Sequence, residues 1–283
     1  MAVRELQPST FSLSKGMELM DYTNLTIERR GHITVVTLNR PEKLNSLSHE
    51  LMEEIEALTE ELRKDVETRV VIFTGAGKHF SAGVDLTDSH RSESAEQPML
   101  ARLRESHIGP RMLRKLLEID QITIAAINGA ALGGGACMVS ALDFRIGAED
   151  CLVGYPECGL GMSLSWVSVP LCVHLIGPAR AKRFIILAEK ESAQTLLEWG
   201  FLDEIVPKEK LVDRAVAMAE RYAAMPPIPA QMIKRSINAV STALDREIMH
   251  MDMDQLALTA TTGDYREGIS AFFEKRKPVF KGN

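Results

Sequence analysis

The sequence predicts a layered α/β core followed by a helical tail. Three observations point there. Short β-branched runs alternate with helix-patterned segments as far as residue 207, the apparent strands then stop, and two of the strands end in glycine-rich turns. Residues 1–21 read as a lead-in, 22–207 as the core that carries the site, and 208–283 as a C-terminal helical region.

Residues 25–29 and 33–38 are β-branched runs separated by Arg30-Gly31-His32, the pattern of an opening hairpin. From Ser48 onward Leu51, Ile55, Leu58 and Leu62 share one helical face, and residues 70–74 form a short buried strand stopped by Gly75 and Gly77. After a polar stretch, 87–98, a helix is expected over about 99–117, then a buried strand at 122–127. Gly133-Gly134-Gly135 leads into a small-residue helix at 136–142, with further short strands at 144–148 and 152–155. Beyond Glu204-Ile205-Val206-Pro207 only helices are expected: 209–223, then segments after Pro229 and after Asp264, with a break near Pro226-Pro227. This tail has two readings that sequence does not separate: it caps its own core or reaches across to another subunit. Met249, Met251 and Met253 read as core or interface packing.

The 283 residues, 45% hydrophobic and 25% charged, are ordinary globular composition. A net charge of -6 argues against a nucleic-acid partner, leaving room only for a local basic site that meets phosphates. The four cysteines, Cys137, Cys151, Cys158 and Cys172, form no CxxC pair and no Cys/His ligand cluster, so neither a metal nor a disulfide framework is expected and reduced thiols are the simpler reading. The lead-in lacks the apolar run of a secretory signal and is too acidic for a transit peptide; no stretch reaches the roughly 18 apolar residues of a membrane helix. A cytoplasmic protein without membrane insertion is expected, an organellar one remaining open.

The turns Gly75-Ala76-Gly77-Lys78-His79-Phe80-Ser81-Ala82-Gly83-Val84-Asp85 and Asn128-Gly129-Ala130-Ala131-Leu132-Gly133-Gly134-Gly135 both follow buried strands. Their spacing fits neither nucleotide fingerprint: Phe80 stands where a dinucleotide motif needs its third glycine, and Ile72 where a phosphate loop needs its first. Both turns instead offer backbone N–H groups at helix starts, where free donors and the helix dipole favour negative charge. Two such donors make an oxyanion hole, and one is worth about 2.7 to 4 kcal/mol of barrier. Taken singly, either turn is more simply a tight turn.

Four segments, Asn39-Arg40-Pro41-Glu42-Lys43-Leu44-Asn45-Ser46-Leu47, Phe80 to Leu86, Asn128 to Gly135 and Tyr155-Pro156-Glu157, together with the ending Arg266 to Lys277, stand in the order and at the intervals of the crotonase (enoyl-CoA hydratase/isomerase) superfamily, which the chain resembles from Tyr22 onward. The resemblance implies a spiral of repeated ββα units with a C-terminal helical region, assembled as homotrimers or dimers of trimers. It also implies that the N–H groups of Val84 and Gly134 hold a thioester oxygen. The backbone around Leu44 and Ala82 would contact the adenine and pantetheine parts of coenzyme A, and Phe272 and Lys275 would meet its nucleotide end. For Lys275, a solvated member of the basic run 275–277 is an equal reading. No cofactor is implied beyond the coenzyme A portion of an acyl-CoA substrate.

Typical hydratases resembling this chain carry two glutamates, one of them two positions after the triple glycine. Here Cys137 takes that position and Glu157 the other. A second departure is Met162-Ser163-Leu164-Ser165-Trp166-Val167 in place of a glycine-rich turn; it predicts a bulkier, more apolar wall, although Trp166 itself reads more simply as plain core. Moving a double bond needs one base, taking a proton from C2 of a 3-enoyl thioester and returning it at C4, and Glu157 suffices. Cys137 reads as a small buried hydrophobe in preference to a nucleophile, since no histidine is paired with it, and His79 and His107 receive no role. Hydration by Glu157 alone, other thioester chemistry on the same oxyanion hole, and a non-catalytic acyl-CoA scaffold are the alternatives.

Overall fold

A computed structural model of the chain describes residues 21–90 and 97–283. Nearly all of the expected lead-in, and part of the polar stretch at 87–98, lie outside these residues. The chain opens with the antiparallel pair β1 (Leu25–Arg30) and β2 (Ile33–Leu38), turned by Gly31 at φ 61. Glycine tolerates that left-handed geometry without steric cost. Helix α1 (His49–Leu62) starts at Ser48, whose hydroxyl accepts the Leu51 N–H at 3.3 Å, and buries Leu51, Ile55, Leu58 and Leu62 as its period predicts. Strand β3 (Val70–Gly75) is buried throughout.

The helix expected over 99–117 is two helices, α2 (Met99–Ser106) and α3 (Ile108–Leu117), which meet at His107. There follow β4 (Ile122–Ile127), β5 (Ala130–Leu132), α4 (Gly134–Ser140), β6 (Phe144–Ala148) and β7 (Leu152–Gly154). Next come α5 (Ser168–Ile186), β8 (Lys190–Ser192), α6 (Ala193–Trp199) and β9 (Glu204–Val206). The rest is helical: α7 (Leu211–Ala223), α8 (Pro227–Ser241), α9 (Asp245–Met249), α10 (Asp252–Thr259) and α11 (Gly263–Glu274). Helix α4 begins two residues before the expected start at 136, which puts Gly134 and Gly135 in its first turn.

Six strands form one sheet in the order β1-β2-β3-β4-β6-β9, parallel except for the opening hairpin. A second layer carries β5-β7-β8 and is extended by two parallel bridges, Leu47 with Val84 and Ser81 with Ala131. The chain therefore repeats one path: a strand in the large sheet, a short strand or bridge in the second layer, then a helix. It does so through β2, Leu47 and α1; through β3, Ser81 and α2–α3; through β4, β5 and α4; and through β6, β7 and α5. This is the spiral of ββα units that the resemblance implies.

Helix α7 packs on β2, β3, β4 and β6, so the start of the helical region covers the large sheet. Helix α8 is pinned by one buried cation: Lys234 Nζ donates to the Gln121 carbonyl at 2.7 Å and sits 2.6 Å from Asp143 Oδ2. Its outer face leaves Ile228, Met232, Ile233, Ile237 and Val240 exposed. Of the three methionines, Met249 and Met253 are buried and Met251 is exposed. Among the described residues no helix is long and apolar enough to cross a membrane.

Candidate active site

The bridge between Leu47 and Val84 sets the first donor. Leu47 donates its N–H to the Gly83 carbonyl at 2.8 Å and accepts the Asp85 N–H at 3.0 Å. In a parallel ladder the residue between those two bonds turns its own N–H away from the partner strand, so the Val84 N–H points elsewhere. The second donor follows from helix geometry: Gly134 opens α4, and a first-turn N–H has no carbonyl four residues back to take it. Among the described residues neither N–H has a hydrogen-bond partner, while the neighbouring Gly133 N–H is used by the Gly154 carbonyl at 2.9 Å.

The two turns touch. Gly83 has φ +92, and a Cβ there would lie 2.7 Å from the Leu132 carbonyl oxygen and 3.3 Å from the Gly134 nitrogen. Only glycine lets the backbones approach so closely. Side chains from the flanking motifs hold the arrangement. Asn45 Nδ2 donates to the Ala76 and His79 carbonyls, Asn128 Nδ2 donates to those of Gly75 and Gly77, and Arg40 pairs with the buried Asp85 at 3.0 Å. Burial pushes the Asp85 carboxyl upward, but hydrogen bonds from Thr87 and Arg40 outweigh it and leave it below the usual range. His79, left without a role from sequence, accepts the Ala130 N–H at Nδ1 and ties one turn to the other; burial and the nearby Lys78 and Lys208 keep its pKa low.

Glu157 follows β7 and starts a tight turn, its carbonyl accepting the Leu160 and Met162 N–H groups. Its side chain lies over Gly133: a Cβ on that glycine, at φ +51, would sit 3.2 Å from Oε1. Oε2 is buried without a partner, and the loss of solvent raises the carboxyl to about 7. An acid that titrates near neutrality therefore lies against the residue preceding the second donor. Cys137 is buried too; burial first, then the neighbouring Glu157, pushes its thiol well up, with Ser168 beside it. A neutral thiol there is neither a base nor an activated nucleophile.

Trp166 packs against the core, though only in part. Its ring is half-buried and rests on Gly109 and on Gly134, the residue that carries the second free N–H. Of the coenzyme A contacts expected from the resemblance, Leu44 and Ala82 are brought together: the Ala82 N–H donates to the Leu44 carbonyl at 3.0 Å, with Leu44 and Asn45 both in the left-handed region. Phe272 and Lys275 lie at the end of α11, where Phe272 is exposed and Lys275 ends the helix at φ 55. Among the described residues no hydrogen bond joins that end of α11 to Leu44 or Ala82. The sequence reading missed Arg40, Asn45, Asp85 and Asn128 as scaffold. A signal was present for Asp85 and Asn128, which stand inside the glycine-rich turns where polar side chains find backbone or charged partners, and for Arg40 and Asn45 only in the motif that carries them.

A ββα spiral with two free backbone donors beside a buried carboxylate defines a class of fold and site. Residues 28–283 match the enoyl-CoA hydratase/isomerase family, and the chain belongs to it. It is 30% identical over 259 residues to the short-chain-enoyl-CoA hydratase of Clostridium acetobutylicum, covering 91% of this chain and 97% of that one. It is 33% identical over 251 residues to the 1,2-epoxyphenylacetyl-CoA isomerase of Escherichia coli, covering 88% and 95%. Among solved structures, carnitinyl-CoA hydratase from Mycobacterium avium superimposes with a TM-score of 0.79 at 30% identity, covering 92% of this chain and 99% of that one.

Proposed function

We propose that this acyl-CoA enzyme shifts a double bond in enoyl-CoA thioesters, with Glu157 as its single base. The observation that carries the reading is one buried carboxylate against Gly133 with Oε2 unpartnered, and a neutral thiol at Cys137 where a second carboxylate would serve hydration. The thioester oxygen of a 3-enoyl-CoA accepts the Val84 and Gly134 N–H groups. Glu157 takes a proton from C2, and the electron pair spreads into a dienolate whose charge collects on that oxygen. Donors that gain strength as the charge develops lower the barrier. The same carboxyl then returns the proton at C4, leaving the double bond between C2 and C3. Apolar surroundings suit both halves of this cycle, because a carboxyl near 7 gives and takes a proton with similar ease.

The coenzyme A portion runs past Leu44 and Ala82 in this reading, with Phe272 and Lys275 at its nucleotide end; the chemistry needs no metal and no other cofactor. The C-terminal region caps the core and, through the exposed apolar face of α8, joins subunits into trimers or dimers of trimers in the cytoplasm. The second reading is weak hydration by Glu157 alone, favoured by the hydratase name of a 30% identical relative. Product mass separates the two. With 3-enoyl-CoA and 2-enoyl-CoA as substrates, isomerisation without gain of water, lost in Glu157→Gln, supports the first reading. Conversion of 2-enoyl-CoA to a hydroxyacyl product supports the second, undiminished turnover in Glu157→Gln removes that residue as the base, and no turnover of either substrate points to other thioester chemistry or a scaffold.

A further inference from the structure

Trp166 and Val167 are consecutive non-glycine residues in the left-handed region, at φ 61 and 65. A β-branched residue there is strained and persists only where its surroundings impose it. The imposing contact comes from the C-terminal region: Asp252, 4% exposed, accepts the Val167 N–H through Oδ2 at 2.7 Å. Ser168 Oγ adds a bond to the Trp166 carbonyl at 2.8 Å. The backbone so held presents the indole to two glycines. A Cβ on Gly109, in the first turn of α3, would fall inside Cε2 and Cζ2 of the ring, and one on Gly134 would lie 2.8 Å from Cζ3. The ring is thus seated between α3 and the start of α4, with no room for a side chain on either.

The indole therefore lies against the residue whose free N–H would hold the thioester oxygen. Ser168 lies against Cys137, and Cys137 neighbours Glu157, the base that has to reach C2 and C4. Leu44 and Ala82, assigned to coenzyme A in the reading above, are joined to each other, and neither is among the ring's nearest glycine neighbours. We infer that Trp166, fixed by Asp252, is the end wall of the acyl pocket and restricts the enzyme to short-chain acyl-CoA thioesters. The inference rests on the acyl-CoA reading above. An indole fixed by two glycines and a strained backbone cannot swing aside, so each added methylene meets the ring. Trp166 determines specificity, and Asp252 is a positioning residue.

The test is calorimetric binding of butanoyl-CoA and decanoyl-CoA, saturated ligands with no double bond to shift, to the full chain. Trp166→Phe, Trp166→Ala, Asp252→Asn and Asp252→Ala are compared with the wild type, with folding followed by circular dichroism. Wild type is expected to prefer butanoyl-CoA. Trp166→Ala should move the ratio of the two dissociation constants by ~10-fold or more towards decanoyl-CoA, within the range that pocket methylenes command. Trp166→Phe should move it less. Asp252→Ala should follow Trp166→Ala, while Asp252→Asn, which keeps an oxygen acceptor, should stay near the wild-type ratio. If Trp166→Ala does not fold, the Trp166→Phe ratio decides. An unchanged ratio in the Trp166 variants, or a wild type that binds decanoyl-CoA as tightly as butanoyl-CoA, overturns the wall and leaves the isomerase reading in place. Butanoyl-CoA preference without turnover of 3-enoyl-CoA removes the isomerase and supports the wall; binding of neither ligand overturns both.

Discussion

Glu157 is pushed up to about 7 because its carboxyl loses water, a cost that a hydrogen bond from its own backbone offsets only in part, and Oε2 has no partner. Two expectations follow at this residue. As a base it must be deprotonated, so kcat/KM for a 3-enoyl-CoA should climb about tenfold per pH unit on the acid side and level off above about 7; a profile flat from pH 5 to 8 would remove Glu157 as the base. The same shift has a stability sign. A carboxyl raised in the folded state favours folding below its unfolded value near 4.5, and that contribution is lost as pH rises through about 7. Glu157→Gln should therefore unfold like the wild type at pH 4.5 and be more stable by about 3 kcal/mol at pH 8, measured by urea denaturation. Glu157 was legible in the sequence from the Tyr155-Pro156-Glu157 motif. Its orphaned Oε2 was not, because the burial of that carboxyl is a tertiary property: the other oxygen, Oε1, lies against Gly133, 24 positions earlier in the chain. The seat of Trp166, packed in part on the core and against Gly109 and Gly134, was hidden for the same reason: its neighbours lie on helices far from it in the chain.

At the scale of elements, strong periods were read well and short or interrupted ones were not. Strands β4 and β6 match their expected limits, β4 as a buried run rich in isoleucine and β6 as a short segment bounded by Asp143 and Glu149. Strands β5 and β8 are three residues each, too short to show a period. Helix α5 was hidden by Gly177, at φ 77, and Pro178, which interrupt it. Helix α4 starts at Gly134 in spite of glycine's poor helix propensity, because the turn needs bare backbone at that point. The attachment of α8 was equally invisible, resting on a buried Lys234 that meets Asp143 and the Gln121 carbonyl. Burial lowers the Lys234 pKa while Asp143 opposes the shift. Removing the cation leaves the Asp143 carboxylate, among the described residues, with only the Thr123 N–H and hydroxyl as partners and takes the Gln121 carbonyl's donor away, so Lys234→Ala should cost about 3 kcal/mol in a denaturation experiment. A loss under 1 kcal/mol would show that α8 is held by its apolar contacts alone.

Across the whole molecule the ββα path explains why two loops far apart in sequence share one site. Each second-layer bridge lies beside the next, Leu47 to Val84, then Ser81 to Ala131, then β5 to β7, so successive turns of the spiral deliver the Val84 donor, the Gly134 donor and Glu157 to one edge. The C-terminal helices close that edge from outside: Asp252 holds the Trp166 turn, and α11 packs on the turn after Glu157. The spiral was legible through ordered motifs, while this closure needed contacts some 85 residues apart. The central claim, one base moving one proton within the acyl group, is tested most directly with 3-enoyl-CoA deuterated at C2. The account predicts a 2-enoyl-CoA product with no added water and with deuterium carried to C4, and no turnover in Glu157→Gln. A product heavier by one water, or undiminished turnover in that variant, would contradict it.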